Sequence, residues 1–357
     1  MNVLKTNLVT FIYVSIIAFL FSFYIFFRTD AGVSVFSFLL PKTEQAELKI
    51  QYCVSKNETS KKITCLRELA PILFSNFGVS ESMRALEDHV RNVGETFFCH
   101  ETAHIFGEAL YKHNNGDALK TMGMCSSVCH NGCQHAVMAK ILGDESENGM
   151  LEEFLSDSDK IISYCAKNNT DQVGFDLCIH GLGHSFMVVR DGDLIEALKD
   201  CDRLRLAGTA RGQCWSGVFM ENTTNLMGGG RREKYISKTD PLFPCTMKGL
   251  DKKYKDICYH QAGLPRNQAF EICRTAETEW KQSCFEGAGL LMAASVAGFP
   301  NLIVEYCNRA VGEEIISCLR GGMFYLPYGE NEERNKFCGF VSNEHREAIG
   351  CQQDTIE

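Results

Sequence analysis

The chain has 357 residues, 45% of them hydrophobic and 23% charged, with a net charge of -9. That balance supports a sizeable core and excludes wholesale disorder. With no basic stripe, it also excludes nucleic acid as the expected partner.

The first predicted element is an uncharged run, Leu8 to Phe27. At about 1.5 Å per residue, these residues span roughly 30 Å, the thickness of a bilayer core. A signal-peptide apolar region is about 7–15 residues and ends at a small-x-small site. Here Arg28-Thr29-Asp30 follows directly, so an uncleaved membrane anchor is expected rather than a cleavable signal. Residues 1–28 read as the anchor, 29–48 as a juxtamembrane linker and 49–357 as the body. Lys5 precedes the run, while Arg28 and Asp30 nearly cancel after it. This bias puts the N-terminus inside and the body on the extracytoplasmic side, whether periplasmic, lumenal or extracellular. Asn57, Asn168 and Asn222 each begin a glycosylation sequon.

The 18 cysteines of the body then read as disulfides, the form expected in an exported chain. Their spacing is a ladder. Twelve residues separate Cys165 from Cys178, Cys201 from Cys214, Cys245 from Cys258 and Cys338 from Cys351; ten separate Cys273 from Cys284 and Cys307 from Cys318. Cys53 and Cys65 enclose eleven, and Cys125 and Cys133 enclose seven. Cys99 and Cys129 remain and could pair with each other. Around the second cysteines, Cys178-Ile-His-Gly, Cys214-Trp-Ser-Gly, Cys284-Phe-Glu-Gly and Cys318-Leu-Arg-Gly share C-x-polar-G. Looser copies start at Cys99, Cys133 and Cys258, giving intervals of 26 to 45 residues, the range of helix-hairpin repeats.

One unit shows the expected form. A helix carries Leu182, Phe186, Met187 and Val189; Asp191-Gly192-Asp193 breaks it, and Asp193 caps a second helix from Leu194 to Cys201. The first cysteine is expected to end one helix and the second to open the next. The residues two after the cysteine would then line one surface: Glu101, His135, His180, Ser216, His260, Glu286 and Arg320. Ser and Glu suit a helix N-terminus, but His and Arg do not, which points to a functional cavity.

His100-Glu101-Thr102-Ala103-His104 reads H-E-x-x-H, and His180 and His184 repeat the i,i+4 spacing. On a helix such imidazoles share a face and can bind one metal, with Glu101 as a general base. A zinc-peptidase reading is disfavoured because the extended H-x-x-G-x-x-H form is absent. The preferred reading joins the two pairs, His100/His104 and His180/His184, in a four-nitrogen or dinuclear zinc, copper or iron centre between neighbouring hairpins, with His135, which lies between them in sequence, as a further candidate ligand. Glu101, Glu108 or Glu221 would complete it. The bland reading makes these histidines buried polar groups bonded to their surroundings.

Cys99-His100, Gly132-Cys133-Gln134-His135, Cys178 to His184 and Gly217 to Asn222 resemble motifs of a group of bacterial exported Cys/His-rich proteins without assigned activity. The repeated C-x-x-G helix starts are similar to the inner helices of lanthionine-cyclase-like α/α toroids, and more loosely the chain resembles Sel1-type repeats. An all-α body of seven or eight disulfide-stapled hairpins is expected, as a closed toroid or a curved superhelix. Its expected function is a histidine-ligated metal site for hydrolytic or redox work. The alternative is a non-catalytic scaffold binding a protein or glycan in a groove lined by Trp215, Tyr259, Phe285 and Tyr325.

Overall fold

The computed structural model describes residues 40–93, 96–125, 129, 131–169, 171–224, 232–262, 268–296, 299–326 and 331–351. The apolar run Leu8 to Phe27 lies outside them. Among the described residues there is no strand, and no helix is long and apolar enough to cross a membrane. The chain divides into two compact units, residues 1–89 and 90–357.

In the first unit, α1 (Lys42–Val54) packs on α2 (Thr59–Phe77), and α3 (Val79–Val93) follows. Thr43, Ala46, Ile50 and Cys53 are buried at 3-4-3 spacing, so one face of α1 meets Leu66, Ala70, Leu73 and Phe74 of α2 in this unit's core. Helix α1 therefore reaches back into the span expected as linker, because Thr43 and Ala46 belong to its buried face. Cys53–Cys65 closes the turn between the two helices. The Thr43 hydroxyl and the Arg84 guanidinium both bond Glu81, holding α3 to the start of α1.

The second unit alternates long inner helices with short outer ones. In chain order they are α4 (Thr96–His113), α5 (Ala118–Met124), α6 (Gly132–Glu147), α7 (Leu151–Ser156), α8 (Ser158–Asn168), α9 (Gln172–Val189), α10 (Leu194–Arg203), α11 (Thr209–Thr224), α12 (Lys252–Ala262), α13 (Ala269–Arg274), α14 (Lys281–Ser295), α15 (Pro300–Cys307), α16 (Glu313–Tyr325), α17 (Asn331–Phe340) and α18 (Asn343–Arg346). The seven helices with C-x-x-G or related starts, α4, α6, α9, α11, α12, α14 and α16, each pack on the next. Helix α4 also touches α14.

Local sequence sets the breaks between elements. Asp117, Asp157, Asp171 and Asp193 each accept a bond from the backbone N–H three residues on, capping α5, α8, α9 and α10. The outer α10 is amphipathic, burying Leu194, Ala197, Leu198 and Cys201. The inner α9 buries every residue from Cys178 to Met187, so it is a core helix with neighbours on all sides.

The cysteine ladder forms as spaced: all eight expected pairs are disulfides, and Cys99–Cys129 is the ninth. No free cysteine remains among the described residues. The first cysteines Cys165, Cys201, Cys273 and Cys307 fall in the last turns of α8, α10, α13 and α15, as expected. Of the second cysteines, Cys133 opens α6 and Cys284 lies in the first turn of α14, as expected, but Cys178, Cys214, Cys258 and Cys318 lie deeper in their helices. Helix α9 begins six residues before Cys178 and α11 five before Cys214, because the capping residue and its turn lie upstream. His180, Ser216, His260, Glu286 and Arg320 thus sit inside their helices, away from the N-terminal ends, whereas His135 stays in the first turn of α6.

Glycine sets how closely the inner helices approach. In α11, α14 and α16, Gly217, Gly287 and Gly321 lie against the carbonyl oxygens of His180, His260 and Glu286 on the preceding inner helix. A Cβ would fall 2.0, 1.7 and 1.7 Å from those oxygens, so any side chain would force the backbones apart. The C-x-x-G pattern is therefore a packing code. In α12 the same position is Gln261, whose amide nitrogen donates to Ser216 Oγ at 2.6 Å.

Candidate metal centre

Helix α4 carries His100 and His104 one turn apart, α6 carries His135, and α9 carries His180 and His184. The same close packing brings them together. Gly132 lies against the His100 carbonyl, and Gly181 lies against the His135 ring itself. The ring centroids of His100 and His104 are 4.4 Å apart, those of His100 and His135 5.1 Å, and those of His180 and His184 4.9 Å. His135 stands 5.8 Å from both His180 and His184 and joins the two pairs. Five imidazoles thus form one cluster in the core.

Backbone carbonyls choose the tautomers. His100 Nδ1 is 2.7 Å from the Cys129 carbonyl oxygen, and His135 Nε2 is 2.8 Å from that of Leu177. A carbonyl only accepts, so those nitrogens carry the protons and donate. In the neutral rings His100 Nε2 and His135 Nδ1 then hold the lone pairs. Both are shielded from solvent, as is His104 Nε2. Neither His104 Nε2 nor His135 Nδ1 has a hydrogen-bond partner among the described residues. Burial, then the neighbouring imidazoles, holds the pKa of His104 and His135 well below the ordinary histidine range. Both rings are neutral, the state in which imidazole ligates.

His100, His104 and His135 offer three nitrogens within 4.8 Å of one another, a set that could hold a metal ion. Ligands 2.0–2.1 Å from a tetrahedral zinc stand roughly 3.3 Å apart, so loading would draw the triad together by up to about 1.5 Å. The second pair is tighter, with His184 Nε2 3.1 Å from His180 Nε2. On its other side His184 Nδ1 donates to Glu221 of α11 at 2.9 Å, with both side chains fully buried.

The other expected site residues fall in different surroundings. Glu101 is half-buried on α4. Glu108 turns outward to Lys112 and Lys140 rather than completing the cluster. Ser216 is buried against Gln261, whereas His260 and Glu286 are half-buried. Arg320 is exposed and donates to the Ala348 carbonyl. The aromatic groove is corrected: Tyr259 and Phe285 are buried in the core, where their helices pack on neighbours. Trp215 is half-buried with its Nε1 on Asp202, and the Tyr325 side chain lies outside the described set. Asn222 is buried with its amide on the Tyr235 carbonyl, which withdraws that sequon from modification in the folded chain.

Sequence reasoning missed the two carbonyls that fix the ring tautomers, since a backbone acceptor leaves no trace in residue identity. It also missed a small solvent-open cleft lined by Phe219, Asn222, Tyr235, Phe243 and Gln261.

No family model, no curated protein and no solved structure matches this chain. The fold and the cluster alone define its class, a disulfide-stapled helical-repeat protein with a buried histidine triad able to hold a metal.

Proposed function

We propose that the chain is an extracytoplasmic metal protein, anchored by Leu8 to Phe27, which holds a first-row transition-metal ion on His100, His104 and His135. One observation carries this reading: His104 Nε2 and His135 Nδ1 are buried nitrogens without a hydrogen-bond partner among the described residues, beside His100. A buried polar atom left unanswered costs about 1–3 kcal/mol. A metal ion answers both nitrogens at once. Neutral imidazoles suit zinc, copper or iron. Thiolate ligation has no support, because every described cysteine is in a disulfide; that same chemistry favours an oxidising compartment.

The enclosure of the rings favours electron transfer or small-molecule redox work over hydrolysis of a polymer. The contact of α4 with α14 supports a row of inner helices curled toward a toroid, with the cluster at its first three members.

The test is elemental analysis of the full chain, made through an oxidising secretory route and purified in detergent, beside His104→Gln/His135→Gln. Near-stoichiometric metal in wild type, lost from a variant with intact disulfides, is the expected result. If both proteins fold and neither retains added zinc, copper or iron, the metal reading is wrong.

A further inference from the structure

Beyond the triad, the cluster contains a second donor set. His180 and His184 lie one turn apart on α9, buried, with their Nε2 atoms 3.1 Å apart. Two nitrogens bound 2.0–2.1 Å from one ion at near-tetrahedral angles stand roughly 3.1–3.4 Å apart. This pair already has the bite of a chelate, unlike the wider triad. The third feature is Glu221. Its fully buried carboxylate accepts from His184 Nδ1. With Nδ1 engaged by Glu221, Nε2 is the nitrogen of His184 that faces His180 and is placed to ligate. A carboxylate behind a ligating imidazole fixes the ring and raises its basicity, and its loss commonly weakens metal binding 10–100-fold. A dication one imidazole away also stabilises the buried negative charge.

We infer that His180 and His184, oriented by Glu221, form a second site for a divalent transition-metal ion, which makes the cluster a two-metal centre. This rests on the triad reading but makes a separate demand on stoichiometry. His135 bridges the two sets. Its ring is 24° from parallel with that of His184 at 5.8 Å, and His100 is 6.5 Å from His184. Both ions would therefore lie in one enclosed chamber, on donors from α4, α6 and α9. Glu221 is a positioning residue here, because it acts through His184. The competing structure is a plain N–H···N bond between His180 and His184 with no ion.

Cobalt counting separates these. The full-length chain is loaded with Co(II), freed of excess metal by gel filtration, and measured by mass spectrometry and visible absorption. About two cobalt ions per chain are expected in wild type and about one in His180→Gln. In Glu221→Gln, whose amide oxygen still accepts from His184, one of two binding phases should weaken 10–100-fold. Thermal unfolding and disulfide mapping check each variant. If His180→Gln misfolds, the isosteric Glu221→Gln carries the test. One cobalt in wild type, lost in His104→Gln/His135→Gln but indifferent to the α9 and α11 changes, overturns the second site and leaves the triad. Two cobalt ions held with unchanged affinity in the folded α9 and α11 variants also overturn it. No cobalt in wild type overturns both.

Discussion

At the residue scale, histidine chemistry here is governed by what each ring faces. His104 and His135 face other imidazoles inside the core and are held neutral. His260, elsewhere on α12, shows the same effect without the cluster: burial pushes its pKa down to about 4, with Asp256 pulling the other way. The unfolded chain protonates this ring near its ordinary value of about 6.5, whereas the folded chain resists. The unfolded state therefore binds more protons in that window, and stability falls as pH drops from about 6.5 to about 4. The slope for one such proton is at most about 1.4 kcal/mol per pH unit. Denaturant midpoints across this range should fall less steeply for His260→Gln than for wild type. An unchanged slope would show that the ring is solvated.

At the element scale, the inner helices depend on glycine at their crossings. Gly287→Ala would put a methyl 1.7 Å from the His260 carbonyl of α12. Backbone cannot rotate away, so α12 and α14 must separate, with an expected loss of about 3 kcal/mol. Gly143 lies in α6 with nothing within 4 Å of its Cβ position. Gly143→Ala should instead stabilise by about 0.5–1 kcal/mol, because alanine gives up less conformational freedom in a helix. Opposite signs in chemical denaturation support the packing code; equal effects refute it. The element breaks were legible beforehand wherever the signal was local. Asp193 caps α10 as its place after Asp191-Gly192 implied. The start of α9 was not, because Asp171 and Gln172 carry no apolar periodicity and the eye is drawn to the cysteine six residues later.

At the scale of the whole molecule, the disulfides and the packing divide the work. The nine bridges join residues only 8 to 30 apart. Six of them, Cys125–Cys133, Cys165–Cys178, Cys201–Cys214, Cys245–Cys258, Cys273–Cys284 and Cys307–Cys318, staple an outer segment to its neighbouring inner helix, and none ties the ends of the row. Long-range order comes instead from inner helices packed side by side, with α4 meeting α14. Cys201→Ala/Cys214→Ala should accordingly cost about 3 kcal/mol, the chain-entropy value for a loop of this length. Hydrogen exchange should rise around α10 and α11 and spare α16. A uniform rise along the row would mean that the bridges act globally.

The sequence by itself determined the ladder of bridges, the helical class and the five histidines, because each is written in local spacing: cysteines a fixed loop apart, imidazoles one turn apart, aspartates at caps. It also offered Glu221, beside Glu101 and Glu108, as an acid that would complete the site. Only the tertiary structure decided that His135 joins His100 and His104, that Glu108 faces lysines while Glu221 faces His184, and that Tyr259 and Phe285 belong to the core. Those choices depend on the direction each helix face takes once its neighbour is in place. That direction is set by contacts between residues dozens of positions apart, such as Gly217 against His180, and no window along the chain contains both partners.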